Sequence, residues 1–292
     1  AKAEAAVATI AEALDFSVER AAQGIYDIVN ENMIGALRLV SVQQGNDPRE
    51  FALIAFGGAG PLHGNALARI LNCWPVIVPL GPGVLCAYGD ATTRSRDEAS
   101  RSLMRRFSET SAEEVGNIFA ELNAAAARTL DAEGIRESER TNSYEVDVRY
   151  SGQVLSLPVP VDIDAFRKGG LEEIGESFDN LHEKLYTFAI ETERELINLR
   201  AIVQGRETVA DAGRIAVGGR DASAAKLAEE NIFANGEWQA AQVYRRDLLK
   251  CGNIIAGAAI VTQLDSTTLI LPGHAGEIDA IGNILIRPVE PN

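Results

Sequence analysis

The sequence predicts an α/β protein in which a largely covered sheet is followed by a small α+β domain and a β-rich carboxy-terminal domain. Three observations predict this order. Helical patterns and short apolar runs alternate over residues 1–104, as in an α/β unit. A helix, a hairpin, a second helix and a strand follow, and from about Thr208 onward the chain is glycine-punctuated and rich in β-formers, as in "NIIAGAAIVTQ". We therefore expect three domains, at residues 1–106, 107–207 and 208–292.

Two helices and a buried strand are predicted at the amino terminus. Residues 1–14 have the spacing of an amphipathic helix, and Ser17 is a plausible N-cap of a second helix. That helix ends near "GNDP", residues 45–48, a cluster of turn-forming residues. The apolar run from Phe51 to Phe56 is too short for a helix between such boundaries, and it therefore predicts a buried strand.

A glycine turn joins this strand to a third helix. Gly57, Gly58 and Gly60 have no Cβ, so a ligand can lie against the backbone, and the start of the helix offers unpaired N–H groups. The spacing excludes a Rossmann fingerprint, because His63 stands where the third glycine would be. A P-loop is excluded because the segment contains no lysine. The turn therefore predicts either a nucleotide contact or tight packing of the helix on the sheet.

The remaining elements follow the same patterns. "WPVIVPL" predicts a second buried strand, followed by a "GPGV" loop and a helix of small residues. "SAEEVGNIFAELNAAAARTLDAEGI" predicts a long helix, and "YEVDVRY" and "VLSLPVPV" predict a hairpin that turns at Ser151-Gly152. A helix from Ile163 to Phe188 and the strand "ELINLRAIVQG" complete this part. The carboxy-terminal part is expected to be a small barrel or sandwich.

The composition narrows the class of function. The net charge of −15 argues against nucleic acid and anionic membranes as partners, because both are approached through clustered Lys and Arg. No stretch approaches the roughly 18 apolar residues of a membrane span. Three dispersed cysteines fit a reducing compartment better than a disulfide framework or a zinc site. We therefore expect a cytoplasmic protein, and the lack of a starting methionine suggests that the chain is a piece of a longer one.

Several segments resemble known families. "ALIAFGGAGPLH" is similar to the second nucleotide-binding glycine turn of the actin, sugar-kinase and heat-shock-protein ATPase superfamily. More closely, the chain resembles the carboxy-terminal half of the hydantoinase A/5-oxoprolinase family from about residue 24 to residue 287. The matching segments include "NENMIGALRLVSVQQGNDPREFALIAFGGAGPLHGNALARIL", "PGVLCAYGDATTRSRDEASRS", "VDVRYSGQVLSLPVPV" and "IAGAAIVTQLDSTTLILPGHAGEIDAIGNILI". Two departures are Ala258, where the family usually has proline, and Gln263, where it more often has an acidic residue.

The resemblance implies a fold and a function. The fold would be the second half of an actin-like (ribonuclease H-like) ATPase domain, followed by the α+β and β-rich domains. The function would be ATP-dependent opening of a cyclic amide such as a hydantoin or 5-oxoproline, with ATP and Mg²⁺ as cofactors. A B-type subunit or a fused equivalent would be the partner in an oligomer. The family's first phosphate loop is not in this chain, so only part of the nucleotide site is expected here.

The resemblance also implies site residues. Gly57, Gly58 and Gly60 would contact the nucleotide. Asn30 and Asn32 lie in the long helix before the strand, and Asn32 is a candidate contact for the adenine or ribose.

The candidate catalytic residues are His63 and Asp90. His63 follows the turn and would face a phosphate or the substrate, or would cap neighbouring backbone groups. Asp90 is a candidate because Asp97 lies seven residues later, a spacing that would put both carboxylates on one helical face. Such a pair could bind a metal ion or position a water molecule. The alternative is that both carboxylates are simply solvated. His182 and His274 have no metal-ligand spacing, and "DST", residues 265–267, is typical of a turn.

Two other functions remain open at this point. Related subunits belong to ATP-dependent ketone carboxylases, so a ketone such as acetone or acetophenone is an alternative substrate. A module that binds nucleotide only to control assembly is a non-enzymatic alternative. The sequence alone does not choose the substrate ring.

Overall fold

The computed structural model describes residues 2–206 and 213–289. The helices are α1 (Lys2–Leu14), α2 (Val18–Val40), α3 (Gly60–Leu71), α4 (Leu85–Thr92), α5 (Ala112–Ala132), α6 (Ile163–Gly169) and α7 (Leu171–Tyr186). The strands are β1 (Leu53–Ile54), β2 (Val76–Val78), β3 (Arg96–Arg106), β4 (Arg140–Tyr150), β5 (Leu157–Val161), β6 (Arg194–Gly205), β7 (Lys226–Ala234), β8 (Glu237–Arg245), β9 (Ile254–Ala256), β10 (Ala259–Thr262), β11 (Thr267–Ile270), β12 (His274–Ile278) and β13 (Ile284–Pro288). The protein is therefore a mixed α/β structure with several sheets.

The chain divides into two compact units, and the division differs from the predicted one. The first unit combines Ala1–Ala91 with Asp211–Asn292, and the second is Thr92–Ala210. The predicted boundary at residue 207 lies outside the described residues. The carboxy-terminal segment was expected to form its own barrel or sandwich, but it returns to the amino-terminal elements instead.

The main sheet of the first unit shows why the segment returns. Its strand order is β1-β2-β13-β12-β9, so the last strand of the chain lies beside β2. β1 pairs with β2 in parallel, and β13 pairs with β2 in antiparallel, with Ile286 opposite Val76. Val76, Val78, Ile284 and Ile286 are all fully buried in one core. The short strands of the two segments thus bury one another's apolar side chains, which neither segment could do alone.

A second sheet of the first unit has the order β11-β10-β8-β7. Helix α3 connects the two sheets: the side chain of its buried Asn65 accepts a hydrogen bond from the Leu271 N–H (2.8 Å). A Cβ added at Gly64 would lie 2.7 Å from the Ala55 Cβ and 3.0 Å from Val76 Cγ1. Gly64 is therefore the glycine that lets α3 approach the sheet. The sequence had suggested this packing role as an alternative for Gly57, Gly58 and Gly60.

The strand predicted at residues 51–56 is shorter and less buried than expected. β1 contains only Leu53 and Ile54, and it is an edge strand. Ile54 is 54 % exposed and Phe56 is 46 % exposed. The prediction of a buried strand was wrong because an apolar run has the same composition at the edge of a sheet as at its centre.

The second unit is built on one antiparallel sheet with the strand order β3-β6-β4-β5. α5 contacts β3 and β6, and α7 contacts β5. The single helix predicted from residue 163 to residue 188 is divided into α6 and α7 at Gly170, whose φ is 66°. His182 is buried among the rings of Tyr150, Phe178 and Phe188. The order helix, hairpin, helix and strand is the predicted one.

No helix in the described part of the chain is long and apolar enough to cross a membrane. The three cysteines are free thiols, with Cys73 buried and Cys86 exposed. Burial raises the pKa of the Cys73 thiol.

Candidate functional site

The glycine turn begins at Gly57, which Ala55 and Phe56 separate from the end of β1. Its φ of 79° lies in the left-handed region, which glycine adopts without steric cost. No heavy atom lies within 4 Å of the position that a Cβ would take there. The Gly57 N–H donates a hydrogen bond to the Pro82 carbonyl (2.7 Å), so the turn is held to the loop that follows β2. Gly57 therefore combines a backbone that requires glycine with open space beside it.

The other two glycines of the turn are in ordinary contact with protein atoms. A Cβ at Gly58 would lie 3.6 Å from the Asp265 carbonyl oxygen, and one at Gly60 would lie 3.6 Å from the Ala55 carbonyl carbon. Neither has a positive φ. The sequence treated all three glycines alike, whereas the structure distinguishes Gly57 from Gly58 and Gly60.

A buried arginine fixes the loop after β2. Arg246 is 5 % exposed, and its Nη2 donates to the carbonyls of Val78 (3.1 Å), Pro79 (3.1 Å) and Gly282 (2.6 Å). Burial lowers the pKa of the guanidinium to about 10, so the group stays charged at neutral pH. Its Nη1 has no partner among the described residues. A buried charge that donates to three carbonyls is costly to displace, and it thus keeps the loop in place.

A carboxy-terminal loop also contacts the glycine turn and the loop after β2. Asp265 Oδ2 accepts a hydrogen bond from the Gly83 N–H (2.8 Å), and a Cβ at Gly83 would lie only 2.6 Å from the Asp265 carbonyl oxygen. Ser266 is buried, and its Oγ donates to the Gly58 carbonyl (3.2 Å), although the two residues are 208 positions apart in the sequence. Residues 263–266 therefore hold both the glycine turn and the loop after β2. We call this arrangement the Asp265 clamp.

Gln263 completes the Asp265 clamp as a donor. Its Nε2 donates to the Leu80 carbonyl (3.1 Å) and to Asp265 Oδ1 (2.7 Å). An acidic residue, which the resembling family more often has here, could not donate these two hydrogen bonds when ionised. Gln263, which differs from the residue more usual in that family, therefore has a structural role in this chain.

His63 joins α3 to α2. Its Nδ1 lies 2.8 Å from Asn30 Oδ1, and its ring stacks on Tyr26 with centroids 4.9 Å apart. Because an amide oxygen only accepts, Nδ1 carries the hydrogen, and Nε2 keeps a lone pair in the neutral ring. Burial lowers the pKa of His63, which favours the neutral ring at pH 7. Tyr26 in turn donates from its hydroxyl to the Leu62 carbonyl (3.0 Å).

Two other predicted site residues, Asn32 and Asp90, are exposed. Asn32 is exposed on α2, and it is Asn30 that is buried. Asp90 is exposed on α4, which ends at Thr92.

Asp97 does not share a helical face with Asp90, as had been expected. It lies in β3, where it accepts hydrogen bonds from Thr129 Oγ1 and the Glu98 N–H, and these lower its pKa. Over residues 2–206 and 213–289, no group of three or more His, Cys, Asp or Glu side chains is close enough to hold a metal ion.

Sequence reasoning missed Asp265, Ser266 and Arg246 as members of the site. The sequence predicts a turn at "DST", and Asp265 and Ser266 do lie in the short connection between β10 and β11, whereas Thr267 begins β11. The Gln263 N–H donates to the Ser266 carbonyl across this connection (3.1 Å). Turn chemistry is a local signal, whereas the contact with Gly58 and Gly83 is long-range. No pattern in a single sequence reports such a contact.

Comparison with known protein families identifies the family of this chain. The hydantoinase/oxoprolinase family model matches residues 1–99, and the model of the hydantoinase/oxoprolinase C-terminal domain matches residues 104–282. The chain belongs to the hydantoinase/oxoprolinase family.

Several individual proteins are similar to this chain. Caprolactamase subunit alpha from Pseudomonas jessenii is 29% identical over 96% of this chain. The crystal structure of ATP-dependent caprolactamase from the same organism matches with a TM-score of 0.86 at 28% identity. 5-Oxoprolinase 1 from Arabidopsis thaliana is 27% identical over 96% of the chain. A nucleotide-free structure of acetone carboxylase shares the fold, with a TM-score of 0.66 at 20% identity and 98% coverage.

The chain is shorter than these relatives. It spans 41% of caprolactamase subunit alpha and 22% of 5-oxoprolinase 1. It likewise covers 41% of the caprolactamase chain in the crystal structure and 42% of the acetone carboxylase chain.

Removal of the Asp265 carboxylate tests the clamp. Asp265→Ala removes the acceptor of the Gly83 N–H and one acceptor of Gln263. We expect the free energy of unfolding to fall by about 1–3 kcal/mol, because two donors lose their partner. Urea denaturation followed by circular dichroism measures the change.

Asp247→Ala is the matched control. The Asp247 carboxylate pairs with Arg245 at the surface, where the side chains are 66% and 48% exposed, so its loss should change stability by no more than about 0.5 kcal/mol. Equal effects of the two substitutions would mean that the Asp265 clamp does not stabilise the fold.

Proposed function

We propose that this chain is part of an ATP-dependent enzyme that opens a cyclic amide, and that its glycine turn contacts the nucleotide. The observation that carries the proposal is Gly57, with its positive φ and the open space beside it, at the start of α3. The similarity to ATP-dependent caprolactamase over 96% of the chain supports it. An actin-like arrangement of the whole ATPase domain is part of the same proposal.

The chain's own residues would bind and orient the nucleotide. The open side of Gly57 lets adenosine or phosphate lie against the backbone, as the missing Cβ leaves room. α3 begins at Gly60, and the positive partial charge at its amino-terminal end would favour a phosphate nearby. Gly58 and Gly60 would contribute backbone contacts beside it, and Asn32 stays a candidate for the adenine or ribose.

The chemistry explains why such an enzyme uses ATP. An unstrained lactam resists water because resonance ties up its carbonyl carbon. ATP, when bound, supplies a phosphoryl group that makes the amide oxygen a good leaving group. The contribution of this chain is to hold the nucleotide in a preorganised position, which the Asp265 clamp supports by joining the turn to the loop after β2.

The roles of the two predicted catalytic residues remain proposals. His63 would orient the start of α3 through Asn30 and Tyr26, and its Nε2 lone pair would accept a proton or hydrogen bond from a bound group. Asp90 would act on water or a metal-bound ligand from α4. Among the residues that the structure describes, no cluster of three or more His, Cys, Asp or Glu side chains would hold the Mg²⁺.

The partners follow from the relatives. Caprolactamase subunit alpha is by its name one subunit of a larger enzyme, so we propose that this chain also works with a second, B-type subunit or its fused equivalent. A ketone carboxylase remains the alternative activity, supported by the fold similarity to acetone carboxylase.

Substrate-dependent ATP turnover tests the function. The complete protein with its partner subunit would be assayed with caprolactam, 5-oxoproline, hydantoin, and a ketone with bicarbonate. We expect release of ADP and phosphate to depend on one of the cyclic amides, with opening of the ring. Turnover only with ketone and bicarbonate would favour the carboxylase, and nucleotide binding without turnover would favour an assembly module.

Gly57→Asn in the complete protein tests the nucleotide contact. Asparagine tolerates positive φ, as Asn72 and Asn235 do in this chain (φ 53° and 56°), so the fold should persist. Its side chain would enter the open space beside the turn. We expect ATP affinity, measured by calorimetry, to fall by about tenfold or more, which corresponds to about 1.4 kcal/mol.

The matched control is Gly134→Asn. Gly134 also has a positive φ (75°) and open space at its Cβ position, but it follows α5 in the second unit. It carries the same backbone cost without the proposed contact, so ATP affinity should stay unchanged. If both variants bind ATP as tightly as the parent protein, the glycine turn has only a structural role and does not contact the nucleotide.

A further inference from the structure

A small cavity lies in the second unit, between the connection from β4 to β5 and the end of α7. Its volume is about 320 Å³, at the lower end of the range of small-molecule sites. All of its lining residues lie between positions 153 and 188. This range lies inside the second unit and inside the segment that the C-terminal domain model of the family matches. The second unit therefore forms the cavity from its own residues.

A buried histidine, His182, is one of the lining residues of this cavity. It is only 2% exposed, and its Nδ1 lies 2.8 Å from the Phe188 carbonyl oxygen. Because a carbonyl oxygen only accepts, Nδ1 carries the hydrogen, and Nε2 keeps a lone pair in the neutral ring. No described residue pairs with Nε2. The lone pair is therefore available to a hydrogen-bond donor in the cavity.

The other walls of the cavity are apolar, apart from two groups that can donate. The donors are the Gln153 side-chain amide and the Tyr186 hydroxyl. Among the described residues, no Asp, Glu, Lys or Arg lines the cavity, so a charged ligand would lose hydration without gaining an ion pair. The cavity thus fits a neutral molecule with an apolar body, one N–H donor and one carbonyl acceptor. The apolar walls are Val154, Leu155, Leu157 and Phe188.

We propose that this cavity binds the ring of an uncharged cyclic amide. The N–H of the ring would donate to His182 Nε2, its carbonyl oxygen would accept from the Gln153 amide, and its methylene groups would contact the apolar walls. The site binds the ring and makes or breaks no bond. It would favour an unsubstituted lactam over a ring that carries a carboxylate, such as 5-oxoproline. The choice of a cyclic amide rests on the proposed function, whereas the cavity and its available acceptor do not.

A purely structural role of His182 is the alternative. Its ring contacts the rings of Tyr150, Phe178 and Tyr186, with centroids 4.9, 5.7 and 4.7 Å apart. These contacts need an aromatic ring but no acceptor, so they do not account for Nε2. His182→Phe separates the two roles, because it keeps an aromatic ring in this place and removes the acceptor.

Ligand-observed NMR titration of the complete protein, without nucleotide, tests the proposal. The probes are caprolactam, 2-pyrrolidinone and 5-oxoproline, and the last two differ only in the carboxylate. Gln153→Leu removes the amide at nearly constant volume, and His182→Phe removes the acceptor. Gln239→Leu is the matched control: Gln239 is partly exposed like Gln153, but it lies in the first unit and its side chain donates to Glu237.

We expect the parent protein to bind caprolactam, and to bind 2-pyrrolidinone more tightly than 5-oxoproline. Gln153→Leu and His182→Phe should each weaken caprolactam binding by about fivefold or more, which corresponds to the loss of one hydrogen bond. Gln239→Leu should leave it unchanged, and so should Gly57→Asn, because neither residue lines the cavity.

Three results would overturn the proposal: no caprolactam binding by the parent protein, equal binding of 2-pyrrolidinone and 5-oxoproline, or undiminished caprolactam binding by Gln153→Leu. The last result decides even if His182→Phe does not fold. Binding that depends on Gln153 in a protein without substrate-dependent ATP turnover would contradict the proposed function and leave this inference standing.

Discussion

The hydrogen bond from the Gly83 N–H to the Asp265 carboxylate is the contact on which the site depends. It joins the loop after β2 to the carboxy-terminal segment, and neighbouring bonds from Ser266 and Gln263 extend the connection to Gly58 and Leu80. Gly83 must be glycine here because a Cβ would overlap Asp265. The turn at Gly57 is thus held by loops from both ends of the chain, with one side left open. Such a rigid turn suits a ligand that must be placed accurately.

The sequence predicted the local elements well because their signals are local. Ser17 caps α2 by accepting a hydrogen bond from the Arg20 N–H, as its position before an amphipathic run indicated. The strand–turn–helix order around Gly57 was also predicted. The pairing of β13 with β2 was not, because strand partners are chosen by long-range burial. For the same reason the carboxy-terminal strands were assigned to a separate domain.

Individual glycines illustrate the same limit. Gly57, Gly58, Gly60 and Gly64 look alike in the sequence, and yet only Gly57 has a positive φ. Only Gly64 is required for close approach of α3 to the sheet. The resemblance to the hydantoinase/oxoprolinase family was confirmed by both family models. The resemblance identified the protein family, but only the structure distinguishes the role of each glycine.

Hydrogen exchange of the complete protein, with and without ATP, tests the central claim most directly. Peptides that cover the turn and the first turn of α3, residues 57–63, would be followed by mass spectrometry. If the turn contacts the nucleotide, ATP should slow exchange of the amides in this segment, because the ligand excludes water and stabilises the turn in its bound conformation. ATP binding that protects other regions and leaves residues 57–63 unchanged would contradict the account.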